Sequence, residues 1–233
     1  MGKVIGVISV KGGVGKTSCT SNIGAMLSKE YGLKTLLIDA NFSAPNLGLH
    51  LGIADPDRTI HDVLAGKCSI NDAIYEYSDT LHVIPARLNV RKRVDYDKFK
   101  SKLGRIKKNY DYIIIDSSPS LNSEIKATIS ASDYLLVVTS PDYPTIATTI
   151  STVNEVAASK KPVLGLIVNK FRNKRFELSI RDIEETIGVP AVSILPDVFK
   201  MRKSLAKTTP FVLLYPRNKF SKGVRKLTSM LLE

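Results

Sequence analysis

The sequence predicts an α/β protein, a doubly wound, mostly parallel β-sheet with helices on both faces, formed by residues 1–233 as a single domain. Three observations predict it. Short apolar runs alternate with longer stretches of helical period. Two of those runs, Ile113-Ile114-Ile115 and Leu135-Leu136-Val137-Val138, are apolar at every position, as parallel strands covered on both faces require. The first run passes through a glycine-rich turn directly into an amphipathic stretch.

In chain order, strands are expected at residues 3–9, 35–39, 81–85, 112–116, 134–139, 163–169 and 191–195. The first is followed by Lys11-Gly12-Gly13-Val14-Gly15-Lys16-Thr17-Ser18. Closely spaced glycines let backbone N–H groups converge on phosphate oxygens without Cβ interference, and the helix that follows offers its positive end to the same anions. In such a cradle Lys16 neutralises the β/γ-phosphates and Thr17 holds Mg²⁺. The second strand leads to Asp39 and Asn41, and the run at 112–116 closes on Asp116 before a Ser-Ser-Pro turn. A carboxylate at a strand end beside a phosphate loop can hold Mg²⁺ through a water, although aspartate is also common in plain turns. Ligands of such sheets bind beyond the carboxyl ends of the strands.

Composition narrows the class. With 233 residues, 43% apolar and 24% charged, the chain is ordinary globular material without internal repeats or low-complexity linkers. Its two cysteines, Cys19 and Cys68, are far apart and form no C-x-x-C pair, which argues for a reducing compartment and against a disulfide framework, zinc site or cluster. No apolar run approaches the ~20 residues that span a bilayer, and the N-terminal run lacks a cleavage pattern, so a cytoplasmic protein is expected. Net charge is +12, and residues 160–233 carry 16 basic against 6 acidic side chains, with a second basic cluster at 87–108. That asymmetry suggests a polyanionic partner, while a solvated lysine-rich surface accounts for the same composition.

The glycine loop departs from the usual P-loop spacing, because Val10 stands where a glycine is common and a second lysine, Lys11, opens the loop. Lys-Gly-Gly-Val-Gly-Lys-Thr resembles the deviant Walker A motif of the MinD/ParA family of P-loop ATPases, and the resemblance extends over residues 3–232. It implies ATP and Mg²⁺ as cofactors and a homodimer with ATP sandwiched between subunits, Lys11 reaching the nucleotide of the facing subunit. The segment from Asp39 to Gly52 resembles the family's switch I, in which D-x-D is usual. There the first aspartate, Asp39, stands near Mg²⁺ and its waters, and the second positions the attacking water. Asn41 occupies that second place; an amide orients water but cannot accept its proton, so hydrolysis is expected to slow by ~10²–10³-fold or less. Asp116 is the Walker-B-like residue. Asn169, with Pro196 and Asp197, resembles the adenine-contact regions, and an amide suits the N6/N7 edge of adenine, although Asn169 also fits a strand-end turn.

By resemblance the chain is an ATP-hydrolysing dimerisation switch that positions a division site, a chromosome or plasmid, or a polar machine, released by an activating partner protein. An ATP-binding scaffold with little turnover is the alternative. A metal-cluster carrier is disfavoured by the isolated cysteines, and a tyrosine kinase by the single tyrosine, Tyr215, near the end. Residues 217–233 place Phe220, Val224, Leu227 and Leu231 at helical spacing, which could describe an interfacial helix but matches the family's last core helix, and with no separate anchor expected after it membrane binding is the less favoured reading. Lys200, Arg202, Lys203, Lys207, Arg217, Lys222, Arg225 and Lys226 would suit non-specific DNA, and so a nucleoid location, if one face gathers them.

Overall fold

The computed structural model describes residues 2–88 and 95–233, so Arg91, Lys92 and Arg93 of the second basic cluster lie outside the described residues. The strands are β1 (Lys3–Ile8), β2 (Thr35–Ala40), β3 (Tyr75–Ser78), β4 (Leu81–Ile84), β5 (Tyr112–Ser117), β6 (Tyr134–Thr139), β7 (Val163–Phe171) and β8 (Ala191–Pro196). They form one sheet in the order β3-β4-β2-β5-β1-β6-β7-β8. All described pairings are parallel except β3 on β4. The seven expected strands are present, and β3 is an addition. Its sequence, Tyr-Glu-Tyr-Ser, is half polar and alternates half-buried with exposed positions at the sheet edge, so it has no apolar run to announce it.

The helices are α1 (Lys16–Tyr31), α2 (Leu47–His50), α3 (Ile60–Leu64), α4 (Lys98–Gly104), α5 (Ser123–Ala131), α6 (Tyr143–Ser159), α7 (Ile180–Ile187), α8 (Met201–Ala206), α9 (Phe211–Leu214) and α10 (Lys219–Leu232). Side chains of a strand alternate between faces, and here both sets are buried. Ile5, Val7, Leu37, Ile114 and Leu136 pack under α1, α9 and α10. On the other face, Leu36, Ile38, Ile113 and Ile115 lie against α3 and α4, while Leu135, Val137, Leu166 and Val168 lie against α5, α6 and α7.

As expected, α10 buries Phe220, Val224, Leu227 and Leu231 in the core. Lys3 Nζ and the Tyr112 hydroxyl both donate to the Leu231 carbonyl, at 3.0 and 2.5 Å, and Arg225 pairs with Glu30 of α1. The helix that follows the glycine loop is therefore held by a helix from the far end of the chain. Among the described residues no helix is long and apolar enough to cross a membrane.

Candidate functional site

β1 lies between β5 and β6, and the chain leaves it first toward β2 and later returns to extend the sheet on the β6 side. The crevice at that reversal, beyond the carboxyl ends, receives the glycine loop. Gly15 has φ +95°, and a Cβ there would stand 2.3 Å from Asn169 Nδ2. Only glycine fits both the left-handed backbone and the close approach. The loop is fastened from β7: Asn169 Nδ2 donates to the Val14 carbonyl at 2.7 Å, and Lys170 Nζ donates to the Gly13 carbonyl at 2.5 Å.

The two lysines of the loop differ in placement. Lys16 is buried and Lys11 exposed. Burial lowers the Lys16 pKa, and the nearby Asp116 charge opposes that shift. Lys11 lines a cavity of about 370 Å³ with Gly12, Gly13, Asp142, Lys170 and Phe176. Burial alone would raise the Asp142 carboxyl; hydrogen bonds from Ser140 and Thr145 and the Lys11 charge hold it below its ordinary value.

Asp39 and Asp116 are register partners at the ends of β2 and β5. Asp116 accepts from Thr17 Oγ1 at 2.6 Å and from Thr20 Oγ1 at 3.4 Å. Asp39 accepts three backbone N–H groups of its own loop, from Asn41, Asn46 and Leu47, at 2.9–3.1 Å. Burial, reinforced by the Asp116 charge, raises Asp39 to about 8 against those three bonds. Burial raises Asp116 to about 6, against the Thr17 hydrogen bond and the Lys16 charge. Two buried carboxylates beside a hydroxyl form an all-oxygen, electron-rich set that suits a hard cation such as Mg²⁺.

Asn41 is buried and turned into its own loop, its Nδ2 donating to the Ala44 carbonyl. Two residues further along the same loop, Ser43 Oγ donates to Glu124 Oε1, at the start of α5. Pro196 and Asp197 sit at the end of β8, Pro196 in register with Phe171 and Asp197 paired with Arg172. Of the three residues assigned to the adenine region, Asn169 alone makes a hydrogen bond to the glycine loop among the described contacts, and that bond engages its amide nitrogen. Sequence reasoning did not single out Lys170, Asp142, Ser43 or Glu124. Adjacency to Asn169 was the available signal for Lys170; the others are brought in by folding alone.

Residues 2–166 match the family model described as an AAA domain. The chain is 33% identical over 223 residues to the septum site-determining protein MinD of Synechocystis sp., covering 91% of this chain and 83% of that one. The solved cell division ATPase MinD of Pyrococcus furiosus superposes with a TM-score of 0.94 at 28% identity, over 100% of this chain and 99% of the other. The chain belongs to the MinD/ParA family of P-loop ATPases. A third MinD, from Pyrococcus horikoshii, was solved in complex with Mg-ADP and gives a TM-score of 0.93 at 26% identity, covering 99% and 96% of the two chains.

ATP and Mg²⁺ are the cofactors of this MinD/ParA family, and the residues present fit them. Added Cβ atoms at Gly12 and Gly13 would meet nothing within 4 Å, so the loop backbone is open to an anion. Its N–H groups and Lys16 would hold the phosphates. Thr17 with Asp116, and Asp39 through water, would hold Mg²⁺, whose charge would offset that developing on the phosphates. Val14 and Ser18 complete the loop: Val14 is buried and supplies the carbonyl that Asn169 holds, and Ser18 lies in the first turn of α1.

Proposed function

We propose that the chain is an ATP-hydrolysing dimerisation switch, slow in turnover, that positions cellular machinery, with the division site the favoured cargo because its MinD relatives carry septum and cell-division names. The observation that carries this is the division of labour between Lys16, buried at the phosphate end of the loop, and Lys11, exposed at its mouth. A cation held outside its own phosphate cradle is available to a nucleotide across an interface. Leu121, Tyr143, Phe176 and Phe199 support the reading, since all four are exposed in segments following the carboxyl ends of β5, β6, β7 and β8. Large apolar side chains gathered at one end of a sheet mark an association surface.

In this reading ATP assembles the dimer, and hydrolysis with an activating partner protein releases it. Asn41 can orient a water but not take its proton, so turnover is slow unless a carboxylate outside this loop serves as the acceptor. A scaffold that binds ATP without turnover is the alternative. The surface on which the dimer rides is proposed to be DNA, because Lys203 of α8, Lys207 just after it, and Lys222 and Lys226 of α10 are exposed. Dimerisation would double the phosphate contacts, each adding about −0.9 to the salt slope.

Light scattering with Mg-ATP and Mg-ADP, on wild type and Lys11→Ala, tests the switch. Wild type should double in mass with ATP only, and Lys11→Ala should remain a monomer while still binding nucleotide. A Lys11→Ala protein that dimerises like wild type would remove the proposed role of Lys11.

A further inference from the structure

Only two buried side-chain oxygens or nitrogens among the described residues lack a hydrogen-bond partner, and both are acceptors of the same region: Asn41 Oδ1 and Glu124 Oε2. The first belongs to the loop after β2, the second to the first turn of α5, and Ser43, two residues beyond Asn41, joins loop to helix through its contact with Glu124 Oε1. Their side chains are fixed. Asn41 Nδ2 is held by Ala44, and α5 is anchored by Asn122, whose Oδ1 accepts from Glu124 N and Ile125 N. Glu124 is 3% exposed and Asn41 8%.

Buried acceptors without donors are costly, and native proteins rarely keep them without a reason. A pair of acceptors cannot satisfy one another. The group that satisfies both must bring two hydrogens, and a water molecule does so while leaving its lone pairs directed away from both. That is the orientation a nucleophilic water needs. Asn41 stands two residues beyond Asp39, on the loop whose backbone Asp39 gathers, and Ser43 ties Glu124 to that same loop, which begins at the carboxyl end of β2.

We infer that Glu124 is a water-positioning residue that supplies the carboxylate Asn41 lacks, the pair holding the water that attacks the γ-phosphate. This rests on the ATPase reading above. The water oxygen bonds to the γ-phosphorus as the bond to the β–γ bridging oxygen breaks, and that electron pair leaves on ADP. The water's proton passes to Glu124 Oε2 and then to the released phosphate. No redox partner or further co-reactant is involved.

The test has a structural and a kinetic part. A high-resolution crystal structure of the nucleotide-free protein should show one water bonded to both Asn41 Oδ1 and Glu124 Oε2, and Glu124→Ala should lose it. Under saturating Mg-ATP, Glu124→Gln should slow single-turnover hydrolysis by ~10²-fold with the ATP dissociation constant within twofold of wild type. Adding Asn41→Asp to Glu124→Gln should restore at least tenfold, because a carboxylate returns to the pair; a role in folding alone gives no such rescue. Ser43→Ala, at an exposed position, should fold normally and slow turnover by a smaller factor, as Glu124 loses one tether. Absence of the bridging water, wild-type turnover in Glu124→Gln, failure of the rescue, or a wild type that binds ATP without hydrolysing it would each overturn the assignment of Glu124. A wild type that binds no ATP would instead overturn the P-loop reading on which it rests.

Discussion

The glycine loop and the loop after β2 lie at the same end of the sheet and are built in opposite ways. The first is fastened from outside: β7 reaches two of its carbonyls through Asn169 and Lys170. The second is fastened mostly from within, by Asp39 to its own backbone and Asn41 to Ala44, and it contains an unsatisfied acceptor. A phosphate cradle has one geometry to hold in every state, so rigid external ties suit it. A loop that must respond to a γ-phosphate needs few outside ties and some interactions left to be made.

The sharpest way to break this comparison is Lys16→Ala. It should weaken ATP and ADP binding at least ~100-fold, the loss of one charge-assisted contact of about 3 kcal/mol, by titration calorimetry. Undiminished affinity would mean the cradle is not where the phosphates sit. Gly15→Ala comes next, because it combines a left-handed backbone with a clash against Asn169; a stability loss of about 1–3 kcal/mol in urea melts is expected, together with weaker nucleotide binding. Asn169→Ala should cost about 1–2 kcal/mol through the orphaned Val14 carbonyl. If it melts like wild type, the external tie is decorative and the contrast between the loops fails.

The smallest effect concerns the second loop. His61 Nδ1 accepts from the Arg87 N–H, so its Nε2–H donates to the carbonyl of Phe42, next to Asn41. Burial lowers the His61 pKa, and burial lowers those of His50 and His82 as well. The unfolded chain therefore takes up protons near pH 6.5 that the folded chain refuses. The histidine contribution to stability should be full above that pH and fall as pH drops through it, opposite in sign to that of the raised Asp39 and Asp116 carboxyls, and His61→Gln should remove its share of that dependence between pH 7 and 5.5 in thermal melts. An unchanged slope would show that this ring does not hold the loop.

What was legible in the sequence was what is contiguous. Residues 11–18 carry the cradle in one stretch, Asp39 and Asp116 each close an apolar run, and the strands around them announce themselves because parallel strands are apolar on both faces. The stripe of Phe220, Val224, Leu227 and Leu231 likewise gave its helix and its burial. The edge strand β3 escaped because half its residues face water. Glu124 and Asp142 escaped for a different reason: nothing local distinguishes them from a solvated carboxylate until folding brings Ser43 to one and Lys11 near the other. The direction of the Asn41 side chain also had no local signal, since the turn to Ala44 sets it.

The contact of α10 with β1 and α1 bears on how the protein is made. Lys3 and Leu231 are 228 positions apart, and Arg225 reaches Glu30 across 195. During synthesis the nucleotide loop is among the first segments to leave the ribosome, yet α1 gains its outer cover only when the 14 residues of α10 have followed. Until then the side of α1 that packs on α10 faces water, and closing a loop of that span is slow for topological reasons. A nascent chain stalled before α10 should thus be open to proteases and chaperones at the segment that will later hold nucleotide.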